Sequence, residues 1–163
     1  MRGDRLLFSN ISFSLAAGTF LQLTGPNGSG KTSLLRIVCG LMAPESGEIR
    51  WQGARIGKLA EEYSGDITYI GHRNAVKEEL SSLENLRISH GVRGTDITRA
   101  EAKKALAKVG LAGRENLPVR FLSEGQRRRS ALARLLTGNT KLWLLDEVLA
   151  SLDQAAARLI ESI

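Results

Sequence analysis

The chain has 163 residues, 42% of them apolar and 25% charged, enough for one domain that buries roughly 68–70% of its unfolded surface. No apolar run approaches the ~18–20 residues of a spanning helix, so direct membrane insertion is not expected, and the short apolar stretch after Met1-Arg2-Gly3-Asp4-Arg5 does not make a secretory signal. The net charge of +6, from 23 basic and 17 acidic residues, admits nucleic acid, anionic lipid headgroups or a polyphosphate ligand without choosing among them. The one cysteine, Cys39, suits a reducing compartment, and burial on a helix is its expected role.

In chain order, "TFLQLT" (residues 19–24) predicts a short buried strand, "GPNGSGKT" a glycine-rich turn, and "SLLRIVCGL" a helix. A turn at residues 44–47, a strand around residues 48–51 and a second turn at Gln52-Gly53 predict an antiparallel β piece. "GDITYIGH" is a further strand ending at His72. Thr98 and Glu101 have the spacing of a capping box, which opens the helix "RAEAKKALAKVGL". Ser123 is placed to cap a second helix, "EGQRRRSALARLL", whose Arg127-Arg128-Arg129 run is expected to be a solvated face. Gly138-Asn139 breaks that helix, and "KLWLLD" returns to strand.

The chemistry lies at three places. Gly25, Pro26, Asn27, Gly28, Ser29, Gly30, Lys31 and Thr32, followed by Ser33, fit a phosphate-binding loop between a strand and a helix. Glycines 25, 28 and 30 let backbone N–H groups turn toward a β-phosphate, Lys31 reaches the β- and γ-oxygens, and the Thr32 hydroxyl is available to Mg²⁺. Far downstream, an apolar strand ends in Asp146, which is expected to run parallel beside the loop's strand and to hold Mg²⁺ through water. Glu147, one residue further, is the candidate general base for the attacking water. "LSEGQRRR" (residues 122–129) supplies a second serine–glycine turn at a helix N-terminus, and hence a second anion site.

These motifs together resemble the ATP-binding cassette family, and the resemblance spans nearly the whole chain. It implies an α/β P-loop NTPase core with an antiparallel β piece and a helical signature subdomain at roughly residues 73–135. The expectation is a single nucleotide-binding domain over residues 1–163, shortened at both termini and incomplete at the C-terminal end. It also implies that Ser123 and Gly125 contact the γ-phosphate of a second cassette subunit, that Gln126 helps position the signature, and that the loop around Asp153 couples the two sites. "YIGHRNAVKEELSSLENLRIS" (residues 69–89) is similar to the heme-exporter ATP-binding subunits of bacterial cytochrome c maturation. That likeness implies integral membrane subunits as partners and peripheral placement on the cytoplasmic face of the inner membrane. A cassette acting on nucleic acid, which the charge permits, is not expected, since neither a tandem cassette nor a long helical insertion is visible.

Four departures qualify the resemblance. His72 stands where most cassettes carry a glutamine that bridges Mg²⁺ and the membrane partner, so a role in sensing coupling is expected of it. Val148 replaces a proline, and Arg2 stands where an aromatic residue often stacks on adenine. The only histidines are His72 and His90, so the family's late γ-phosphate histidine is not among these residues. The leading expectation is an ATP-hydrolysing transport subunit. The alternative is a cassette that binds ATP without efficient hydrolysis.

Overall fold

The computed structural model describes residues 6–71 and 74–147, and contacts divide the chain into two compact units, Met1–Ala60 and Glu61–Ile163. In the first unit the buried strand expected over residues 19–24 is not formed. Phe20 is 89% exposed, and residues 19–24 carry no ladder among the described residues. A strand needs a partner for its N–H and C=O groups. Here the Thr19 amide and hydroxyl turn back instead onto the Ala16 carbonyl, at 3.3 and 2.7 Å. The apolar pattern was a signal of burial, but it carried no information about a partner.

The first helix, α1 (Lys31–Val38), opens directly on the lysine of the glycine loop. Its C-cap is Cys39, which is buried as expected, and burial pushes the thiol above its ordinary value. Strands β1 (Arg50–Trp51) and β2 (Ala54–Arg55) pair antiparallel with Arg50 opposite Arg55 and Trp51 opposite Ala54. The predicted first strand therefore begins two residues late. Gln52 (φ 49°) and Gly53 (φ 86°) form the two-residue turn, a left-handed pair that suits the twist of a hairpin. Glu48 ion-pairs with both Arg50 and Arg55 beside it.

The second unit begins within α2 (Ala60–Asp66), for which the sequence offered no pattern. Strands β3 (Ile67–Ile70) and β4 (Leu142–Leu145) pair in parallel, from Ile67 opposite Leu142 to Ile70 opposite Leu145. The partner expected for β4 was the strand of the glycine loop. Its ladder among the described residues is with β3, as the matching apolar runs "ITYI" and "LWLL" permit.

Between these strands the chain forms α3 (Ser82–Gly91), α4 (Arg99–Lys108) and α5 (Glu124–Leu132), the last continued by a 3-10 turn over Ala133–Leu136. Each of the three helices begins with a reciprocal capping box, Ser81 with Glu84, Thr98 with Glu101, and Ser123 with Gln126. Leu83 and Leu86 of α3, Ala102 and Leu106 of α4, Ala131 and Leu132 of α5, and Ile70 of β3 share one buried core. That core fixes where both ends of α5 and the end of β4 lie, and so sets the frame for the site.

Candidate functional site

In the first unit, the glycine loop delivers the chain to α1 through Gly30, which has φ 99° and serves as a cap with no side chain. A Cβ there would lie 2.9 Å from Phe8 Cδ1 and 3.3 Å from Leu7 Cβ, so both the backbone angle and the close approach call for glycine. Ser29 N–H donates to Pro26 O at 3.2 Å, and Leu34 N–H closes the first helical turn on Gly30 O at 2.8 Å. Lys31 Nζ folds back over the loop, donating to Gly25 O at 2.7 Å and Pro26 O at 3.0 Å.

This helix start differs from the others in its charge. Helices α3, α4 and α5 each carry a capping hydroxyl and an acid in the first turn, namely Glu84, Glu101 and Glu124. Helix α1 has neither, so the positive end of its dipole is uncompensated by side chains and sits behind an exposed loop at residues 24–28. An anion placed there meets backbone donors and the Lys31 ammonium together.

In the second unit, Asp146 directly follows β4 and is only 2% exposed. Its N–H extends the ladder to Ile70 O at 2.9 Å, and Tyr69 Oη donates to its Oδ2 at 3.4 Å. Glu147 follows in solvent with φ 56°, a left-handed backbone that costs a non-glycine residue about 1–2 kcal/mol. The signature turn is exposed at Ser123 and Gly125. Ser123 Oγ accepts Gln126 N–H at 3.3 Å, and Ser123 N–H donates to Gln126 Oε1 at 3.0 Å, so Gln126 braces the turn through its own side chain.

The arginine run is not the solvated face that the sequence predicted. Arg128 is 4% exposed, and Arg127 and Arg129 are half-buried. Arg127 binds Leu122 O and Arg120 O, each at 3.0 Å, and pairs with Glu78. Arg128 donates from Nη1 to Gly71 O and Asn74 Oδ1, both at 2.8 Å, and from Nη2 to Asp146 O at 3.1 Å. Burial pulls its guanidinium below the ordinary range, against the carboxylates of Asp146, Glu124 and Glu147. Arg134 Nη2 binds Asn74 O at 3.0 Å; burial, with repulsion from Arg93 and Arg128, lowers its pKa to about 10. A sequence signal for Arg128 existed: it shares the helical stripe of Ala131, Leu132 and Leu135, all buried.

The predicted residues thus fall in two groups. Gly25 to Ser33 lie in the first unit; Ser123, Gly125, Gln126, Asp146 and Glu147 lie in the second, where Arg128 joins the signature helix to the end of β4. His72, Val148 and Asp153 lie outside the described residues, as does Arg2.

The family description "ABC transporter" matches residues 8–150. The chain belongs to the ABC transporter family. Among curated relatives it is 55% identical over 163 residues to the cytochrome c biogenesis ATP-binding export protein CcmA of Nitrosomonas europaea, covering 100% of this chain and 76% of that protein. It is 52% identical to the protein of the same name from Nitrosospira multiformis, covering 100% and 79%. Among solved structures, an ABC transporter ATP-binding protein, described as putative, from Pyrococcus furiosus superposes with TM-score 0.74 at 28% identity, over 85% of this chain and 67% of that one. A dimeric ATP-binding cassette in a post-hydrolysis state with ADP and Pi matches with TM-score 0.83 at 24% identity, over 96% and 74%, a likeness of fold. An ABC-type nucleotide-binding fold, and nucleotide as its ligand, follow from this membership.

Proposed function

We propose that this chain is the ATP-binding and hydrolysing subunit of a membrane export complex serving cytochrome c-type biogenesis, with heme or a heme-handling step as its cargo. The observation that carries the ATP reading is the uncapped, acid-free start of α1 behind the glycine loop, with Lys31 poised on the loop carbonyls. The export reading rests on relatives of that name, aligned over all 163 residues.

On binding, the γ-phosphate oxygens replace Gly25 O and Pro26 O as partners of Lys31, while Gly28, Ser29 and Gly30 offer their N–H groups to the β-phosphate. The Thr32 hydroxyl of the first unit and the Asp146 carboxylate of the second are each an oxygen donor suited to a hard cation such as Mg²⁺. When bound, that ion neutralises charge on the β- and γ-oxygens. Glu147 takes the proton of the attacking water as its oxygen bonds to the γ-phosphorus and the bond to the β-bridging oxygen breaks, releasing ADP. Ser123 and Gly125, exposed at the start of α5, close over the γ-phosphate of a second copy. The pair works at the cytoplasmic face of the inner membrane, against integral membrane subunits.

Phosphate release from Mg-ATP tests the reading. Glu147→Gln is expected to keep ATP binding and lower the release rate by on the order of 10²-fold or more. Release at the parental rate in that variant would remove Glu147 from the reaction.

A further inference from the structure

We infer that Arg128 is a positioning residue for Glu147, holding the catalytic turn in its left-handed backbone and tying that turn to the signature helix. This rests on the role given to Glu147 above. Arg128 lies on α5, in the turn that follows the signature, and is buried with its guanidinium directed at main-chain carbonyls. The carbonyl it grips, Asp146 O, belongs to the peptide that joins Asp146 to Glu147. The other side of Asp146 is fixed as well, since its N–H donates to Ile70 O at 2.9 Å.

Rotation of the 146–147 peptide changes ψ of Asp146 and φ of Glu147 together. That rotation is the movement that would release Glu147 from φ 56° to an unstrained negative value. With the amide of Asp146 held by β3 and the carbonyl held by Nη2, the peptide is not free to turn, and the Glu147 side chain leaves the backbone in one direction. The left-handed backbone persists because its surroundings over-determine it.

The same guanidinium reaches Gly71 O and Asn74 Oδ1, so the segment that follows β3 shares the clamp. Asn74 in turn makes a long contact, 3.5 Å, with Glu124 Oε1 of the signature turn. A shift of α5 on engaging an anion therefore pulls on the peptide that aims the general base. Turnover then depends on the state of the signature.

The test is a stability cycle joined to kinetics. Glu147→Gly relieves the left-handed strain and is expected to melt about 2–3 °C higher than Glu147→Ala, which loses the same carboxylate but keeps the strain, in the parental background. In the Arg128→Met background, where the peptide is free to flip, that gain is expected to vanish. Arg128→Met should also lower kcat by on the order of 10–100-fold, with the ATP Kd changed less than about 3-fold, and Arg128→Lys, which keeps a donor, should recover part of the loss. If Arg128→Met does not fold, Arg128→Lys takes its place in the stability cycle, with a melting gain smaller than the parent's expected and an undiminished gain overturning the inference. An equal melting gain from Glu147→Gly in both backgrounds overturns the inference, as does a kcat loss that merely follows the melting temperature of each variant. The cycle needs no ATP, so it decides the role of Arg128 even if Glu147→Gln leaves phosphate release unchanged and the ATPase reading falls.

Discussion

Two alanine substitutions in the same loop separate backbone strain from crowding. Gly28 and Gly30 both have left-handed backbones, at φ 80° and 99°. An added Cβ at Gly28 meets nothing within 4 Å, whereas at Gly30 it meets Phe8 at 2.9 and 3.0 Å and Leu7 at 3.3 Å. The left-handed angle costs alanine about 1–2 kcal/mol, and the stiffer unfolded chain returns about 0.4–1 kcal/mol. Gly28→Ala should therefore lose about 1 kcal/mol. Gly30→Ala adds overpacking of about 1–3 kcal/mol, for a total of about 2–4 kcal/mol. At about 2–4 °C per kcal/mol for a chain of this size, Gly28→Ala is expected to melt about 2–4 °C lower and Gly30→Ala about twice that or more. Thermal unfolding by circular dichroism without nucleotide measures both. Equal losses would show that the wall formed by Leu7 and Phe8 does not define the turn, and that strain alone accounts for the glycines.

Lys31→Ala should weaken Mg-ATP binding ten-fold or more in calorimetry, since a charge-assisted hydrogen bond contributes roughly 1.5–3 kcal/mol; unchanged affinity would remove Lys31 from the phosphate site. Ser123→Arg should leave ATP binding by one subunit intact while blocking ATP-dependent pairing in sedimentation, because the cation would fill the anion site proposed at the signature. His90 is buried between Thr95 Oγ1 at 3.1 Å and Thr137 Oγ1 at 3.0 Å. Burial first, and Arg93 second, hold its pKa below the ordinary 6.5, against Asp96 and Glu101. The unfolded chain therefore binds the proton more readily, and stability falls as pH drops below about 6.5. The melting temperature of His90→Gln should change less than the parent's between about pH 7.5 and about pH 5.5, and parallel profiles would contradict this assignment.

The sequence announced those parts of the candidate site whose geometry is local. The turn before Gly30 and the helix start at Lys31 could be read because a turn of glycines, a lysine and a helix start are consecutive in the chain. Thr98 with Glu101, and Ser123 as a cap, could be read because a capping box needs only four residues. The equivalent box of Ser81 and Glu84 was just as local and went unread. What the pattern did not reveal depends on contacts far apart in the chain. Residues 19–24 look like a strand, yet a ladder requires a partner that no run of apolar residues specifies. Three adjacent arginines look like a wet helix face, yet Arg128 finds carbonyls 18 and 57 residues away. The left-handed Glu147 has no sequence mark either, since glutamate rarely adopts it and only its neighbours hold it there.

The most direct test of the account is sedimentation of the Glu147→Gln protein with Mg-ATP. Without the general base proposed at Glu147 the nucleotide should stay intact, so a cassette that pairs across its signature should pass from monomer to dimer with ATP and remain monomeric with ADP. A protein that binds ATP with the affinity of the parent yet stays monomeric at saturation would contradict the claim that Ser123 and Gly125 complete the site of a second copy.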